Sequence, residues 1–161
     1  MKPRVIHIIA CVCLTLICSV QLSGEVMEWD SSFDDINIIT HITTQNSMVS
    51  DSSTATLHTD GDVEITADNT ATAQLSCASD TLVTEYKLEY DGDGTTGTGG
   101  STVDWTAYNS FLISASSVTH VMGDDYVDVT LHVRASNDSG NVANAGTYTA
   151  IQTLTAHWVG P

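Results

Sequence analysis

Positive charge is nearly missing from this chain: four Lys and Arg residues stand against twenty Asp and Glu in 161 positions. Lys2 and Arg4 sit at the very start, so Lys87 and Arg134 are the only cations of that kind from Glu25 onward, where all twenty acidic residues lie. Residues 25–161 therefore carry a formal charge of 2 − 20 = −18. Nucleic acid is excluded as a partner, because holding it requires cations that neutralise phosphates. Anionic membrane surfaces are disfavoured on the same ground. So large a charge favours solubility and opposes the compact state by self-repulsion. Salt or divalent cations would relieve it.

Cysteine and proline are scarce too. Cys11, Cys13 and Cys18 fall in the first 24 residues and leave Cys77 alone in the remainder, so residues 25–161 cannot form a disulfide among themselves. Stability must come from a core, and 137 residues suffice to bury roughly two-thirds of the unfolded surface. Cys77 is expected to be a buried, inert thiol on the apolar face of a strand, since a nucleophilic cysteine wants a positive setting. After residue 24 the only proline is Pro161.

Long apolar runs are limited to one. Val5–Val20, 16 residues behind a basic start and ahead of the polar, small close Gln21-Leu22-Ser23-Gly24, is shorter than the roughly 20 residues of a bilayer span. Its order and size are those of a signal peptide. The expectation is cleavage near Ser23 or Gly24, giving a secreted or cell-surface protein with no membrane segment. The other reading of this run is an uncleaved anchor.

Helical periodicity is absent as well, and strand patterning takes its place. Threonine occurs 22 times from residue 25 on, and β-branched residues suit a pleated, half-buried surface. In Tyr126–Ala135 the residues Val127, Val129, Leu131, Val133 and Ala135 alternate with Asp128, Thr130, His132 and Arg134, the mark of a strand with one face on a core. Val83–Tyr90 opposes Tyr86, Leu88 and Tyr90 to Glu85, Lys87 and Glu89. Ala71–Cys77 places Ala71, Ala73, Leu75 and Cys77 on one side. Tyr148, Ala150, Leu154, Ala156 and Trp158 share a face in the last strand, interrupted by Gln152. Val63 with Ile65, Phe111–Ile113 and Val118–Val121 suggest shorter strands. Turn signals at Asp60-Gly61, Asp91-Gly92-Asp93-Gly94, Gly123-Asp124 and Asn137-Asp138-Ser139-Gly140 separate these segments. The expected fold is all-β, an immunoglobulin-like two-sheet antiparallel sandwich after a cleaved signal peptide. The expected organisation is a signal at 1–24, an acidic extension at 25–56 with one strand (36–43) and a polar linker, and the sandwich at 57–161.

Few constellations carry chemistry. Asp91-Gly92-Asp93-Gly94-Thr95 resembles the start of a calcium loop, which needs six to eight hard oxygens. An EF-hand is rejected, because Thr96 and Thr102 stand where its glycine and closing glutamate belong. A less regular calcium site formed by Asp91, Asp93 and Glu89, with Asp124 or Asp125, is one expectation; a plain polar turn is the other. Among His41, His58, His120, His132 and His157 none are paired at metal-ligand spacing, and His58 with Asp60 and Asp62 is the nearest approach to a cluster. No nucleophile elbow, phosphate loop or Cys-x-x-Cys motif occurs, and a non-catalytic protein is expected. Trp105, Tyr108 and Phe111 either stack on a sugar ring or plug the end of the core.

The last strand carries a likeness. Ala145-Gly146-Thr147-Tyr148-Thr149, followed by alternating Leu154, Ala156 and Trp158, resembles the closing strand of secreted bacterial pilin-like and spore-coat-U-like β-sandwich proteins, over about 35 residues from Asp125 to Pro161. That resemblance implies a subunit of an extracellular fibre or coat, joined to its neighbours by strand donation. The chain lacks the disulfide usual in those proteins. The first functional expectation is thus a structural subunit of an extracellular filament, coat or matrix, homo-oligomeric, in which Ile36, Ile38 and Ile42 enter apolar pockets of a neighbouring subunit. The alternative for that segment is the first strand of its own sandwich. The alternative function is a cell-surface binding module or adhesin, calcium-dependent or glycan-binding.

Overall fold

The computed structural model describes residues 26–36, 47–92, 99–100, 102–119, 125–137 and 142–160. The expected signal segment, Ile38, Ile42, Asp93, Asp124, His41 and His120 lie outside them. The described residues form antiparallel β-structure with no α-helix, and none of their helices is long and apolar enough to cross a membrane. Eleven strands occur among them: β1 (Met27–Trp29), β2 (Met48–Thr59), β3 (Asp62–Ala67), β4 (Ser76–Cys77), β5 (Asp80–Thr81), β6 (Val83–Gly92), β7 (Gly99–Gly100), β8 (Val103–Ala107), β9 (Ser116–Thr119), β10 (Asp125–Ser136) and β11 (Leu154–Gly160). One sheet has the order β1-β2-β10-β6-β8, a second the order β11-β3-β9-β7, and β4 and β5 make a small ribbon.

Alternation is obeyed where it was strongest. Val127, Val129, Leu131, Val133 and Ala135 of β10 are all buried, as are Thr84, Tyr86 and Leu88 of β6. With Leu57 of β2, Val63 and Ile65 of β3, Val118 of β9 and Leu154 of β11, the apolar residues among these join one core cluster drawn from both larger sheets. Apolar area withdrawn from water is the main favourable term here. The Asp60-Gly61 turn joins β2 to β3. A β-carbon on Gly61 would sit 2.3 Å from Trp158 Nε1, so the indole of β11 can close over the turn only because residue 61 has no side chain.

Four segments depart from the sequence reading. The serine-rich stretch 44–56, expected as a linker, contains most of β2. That strand pairs with β10 without interruption, from Met48↔Ser136 to Thr59↔Asp125, so the boundary expected at 56/57 falls inside it. Its 50–53 portion has no apolar alternation because its backbone ladder, rather than side-chain burial, holds it. Cross-strand bonds such as Thr54 Oγ1 with Thr130 Oγ1 at 2.8 Å, and Thr56 Oγ1 donating to Asp128 at 2.9 Å, add to that ladder.

The acidic start, expected as an extension outside the sandwich, is stitched to β2. Asp30 N–H donates to Thr56 C=O at 2.9 Å, Thr56 N–H to Ser31 Oγ at 2.8 Å, and Asp34 N–H to Ser53 Oγ at 2.8 Å. Phe33 packs 5.6 Å from Trp29 and is buried.

Ala71–Cys77 is not one strand. Asp68 accepts from Thr70 N–H and Oγ1, and Ala73 N–H donates to Thr70 C=O, closing a 3₁₀ turn at Ala71–Ala73. Short polar side chains bonding the local backbone compete with a sheet ladder. Ala73 and Leu75 are nevertheless buried, so the expected apolar face survives the change of conformation.

Phe111–Ile113 is a turn instead of a strand. Ser110 N–H donates to Ala107 C=O, Leu112 has φ 51°, and Ile113 is 69% exposed. Burial of Phe111 and Leu112 on the inner side of the turn opposes the cost of a left-handed non-glycine residue.

Candidate functional surface

The outer face of the five-stranded sheet follows from strand parity. Because the odd-numbered residues of β10 from Val127 to Ala135 point into the core, Asp128, Thr130, His132 and Arg134 must point out. Register sets Arg134 opposite Glu85, His132 opposite Lys87, and Thr130 opposite Glu89. On β8 a register shift between Tyr86 and Leu88 lets Val103 face the core while Trp105 lies on the outer side.

The only Lys and Arg of residues 25–161 thus meet on one face. Arg134 Nε donates to Glu85 Oε2 at 2.7 Å, both side chains being half-buried, and the guanidinium lies 4.5 Å from the centroid of the Trp105 ring. Glu89 accepts from Lys87 and from His132 Nε2, the latter at 2.7 Å. The Lys87 bond, then the His132 bond, hold the Glu89 carboxyl below the ordinary carboxylate range. Trp105 also meets the His132 ring edge-on at 6.2 Å. At the other end of the face, Tyr126 stacks on His58 at 4.4 Å, and His58 Nδ1 lies 3.4 Å from Glu28. Between these ends run the hydroxyls of Thr54, Thr56 and Thr130.

Chemically this is a held surface. Glu89 is a carboxylate engaged by two donors, which makes it a weak base. Asp91 lies within β6, which continues through Gly92, so the strand extends into what was expected as a turn. Among the described residues no three His, Cys, Asp or Glu side chains gather as a metal site. His157 stands exposed on β11 opposite Glu64.

The expected aromatic trio is divided by the fold. Phe111 enters the core 5.4 Å from Tyr86, Tyr108 packs against the same core, and Trp105 goes to the opposite side of the sheet. Ile36, expected either in a neighbour's pocket or in its own sandwich, is buried in its own chain's core, beside the stitched segment that carries Phe33. Cys77 is half-buried, packed against the core, with its Sγ 2.6 Å from where a β-carbon on Gly146 would lie. Two pairings were not visible in the sequence: Trp105 with Arg134, which depends on the β6–β8 register, and His58 with Tyr126, which depends on β2–β10. The outward parity of Arg134 was readable; its neighbour was not.

The motif Ala145–Thr149 has a definite role. Tyr148 is buried, and its hydroxyl donates to Asn144 C=O at 3.0 Å, four residues upstream. Asn144 N–H in turn donates to Asp80 of the β4–β5 ribbon at 3.1 Å. Comparison of the chain with protein-family models and with curated proteins found no match.

Proposed function

We propose that this protein is a non-catalytic, secreted structural subunit of an extracellular filament, coat or matrix, released from a signal peptide at 1–24 and folded as an immunoglobulin-like sandwich. The sandwich reading is supported by two antiparallel sheets that feed one core, and by a tyrosine hydroxyl returning to the upstream backbone just ahead of the last strand, a feature such sandwiches use. The observation that carries the subunit reading is the open sheet edge. Among the described residues β8 and β11 each pair on one side only, leaving backbone donors and acceptors on which a further strand can form.

Electron microscopy of the purified secreted protein over a concentration series tests this, with filaments or sheets as the expected result. Particles that stay monomeric at every concentration and salt would oppose it. A second reading, a glycan-binding surface module, is favoured by Tyr126, 41% exposed at the border of a hydroxyl-rich face. Retention on a glycan array that is lost in Tyr126→Ala would support that reading.

A further inference from the structure

We infer that β11 is a self-complementary edge, and that two copies of this chain join by antiparallel β11–β11 pairing about a two-fold axis at His157. This deepens the subunit reading by naming the edge and the partner.

Edges are normally blunted by shortness, charge, proline or bulges. Here β1 has three residues and carries Glu28, and β7 has two. Strand β8 carries Asp104 and a register shift, and the part of β2 beyond β1 carries Asp51. Among the edge strands of the described residues, only β11 lacks these devices through its body. Its seven residues, Leu-Thr-Ala-His-Trp-Val-Gly, include no Asp, Glu, Lys, Arg or Pro, and its one irregularity falls at the far end, between Trp158 and Gly160. With −18 on residues 25–161, contact between two copies is opposed almost everywhere by like charge. An uncharged edge is where that opposition is least.

The register follows from the ladder. Asp68 N–H donates to Thr153 C=O at 2.9 Å, and antiparallel bonding alternates, so Thr155 and His157 bond toward β3. The N–H and C=O groups of Leu154, Ala156 and Trp158 therefore point outward. Full overlap of two seven-residue strands sets Leu154 opposite Gly160, Ala156 opposite Trp158 and His157 opposite its own copy. Ala156 and Trp158 then exchange backbone bonds across the axis. On the solvent face, Val159, 52% exposed in the single chain, is covered by Thr155 of the second copy. Such an interface is isologous and closes as a dimer, so a larger assembly uses the dimer as its unit.

The experiment uses the full secreted protein at about 1 M salt, where screening reaches only ~3 Å. Sedimentation should show a dimer for the native sequence and a monomer for Val159→Glu at the same loading, with unchanged circular dichroism. Under mild oxidation His157→Cys should give a covalent dimer, because directly opposed residues of a non-hydrogen-bonded pair lie about 4.5 Å apart, within disulfide reach. Thr155→Cys, which faces residue 159 of the other copy, should behave like the native protein with its Cys77. A native protein that stays monomeric, a Val159→Glu protein that dimerises as before, or equal linking by both cysteine variants would overturn the inference. Filaments without His157→Cys linking would remove this edge and leave the subunit reading standing. A linked dimer that never assembles further would do the reverse.

Discussion

Tyr148 shows how one hydroxyl holds the entry to the last strand. Its bond to Asn144 C=O fixes the 144–148 corner, and Asn144 is itself tied to Asp80. Tyr148→Phe should lower stability by about 1 kcal/mol, read from the urea midpoint, since the bond to the Asn144 carbonyl is lost. Two other tyrosines set the alkaline limit. Burial pushes the Tyr90 hydroxyl up to about 12, with the Ser116 hydroxyl offsetting part of the rise, and burial pushes Tyr86 higher still. The unfolded chain gives up these protons near pH 10, whereas the folded chain keeps them. Their contribution is therefore complete below pH 10 and is lost as pH rises through 12. Each should cost about 1.4 kcal/mol per pH unit in that window. In Tyr90→Phe the fall in melting temperature between pH 10 and 12 should be shallower. Ala78, exposed with φ 53° between β4 and β5, is a site where Ala78→Gly should gain up to about 1 kcal/mol.

Among the elements, β2 and the segment ahead of it decide how the chain begins. Phe33 and Ile36 are core residues, and β1 pairs Met27–Trp29 with the end of β2. Ile36→Ala should cost about 2–5 kcal/mol of monomer stability through the cavity it leaves. Deletion of residues 25–44 should unfold the protein by circular dichroism. A truncated protein that kept its melting temperature but lost assembly would return Ile36 to a neighbour. On the polar face, Arg134→Ala removes both the partner of Glu85 and the cation over Trp105. The expected loss is about 1–2 kcal/mol, with a shift of indole fluorescence as Trp105 loses its cover.

For the whole molecule, net charge is the dominant background term. With −18 on residues 25–161, sodium chloride should raise the melting temperature by screening self-repulsion. A larger rise with calcium than with sodium at matched ionic strength would show a specific calcium site, and equal rises would leave only screening. The cations are few, yet the fold places Lys87 and Arg134 together on its five-stranded sheet, each beside a glutamate.

By itself the sequence determined the class of fold and the inward faces of the strongly patterned strands. Side-chain period in a strand is a local property, and residues 83–90 and 126–135 state it with five or fewer apolar positions each. It also determined the charge, the lack of any disulfide within residues 25–161 and the turn at Asp60-Gly61. What it left open depended on partners distant in the chain. The serines of β2 read as linker because a strand bonded along its whole length to β10 needs no apolar alternation of its own. Ala71–Ala73 read as strand because a period of two cannot register the bonds that Asp68 makes to Thr70. Trp105, Tyr108 and Phe111 read as one cluster because their spacing is short, and the sheet running between them sent Trp105 to Arg134 and Phe111 to Tyr86. Only tertiary structure decided these, since cross-strand neighbours are set by register, and register is a property of two segments rather than one.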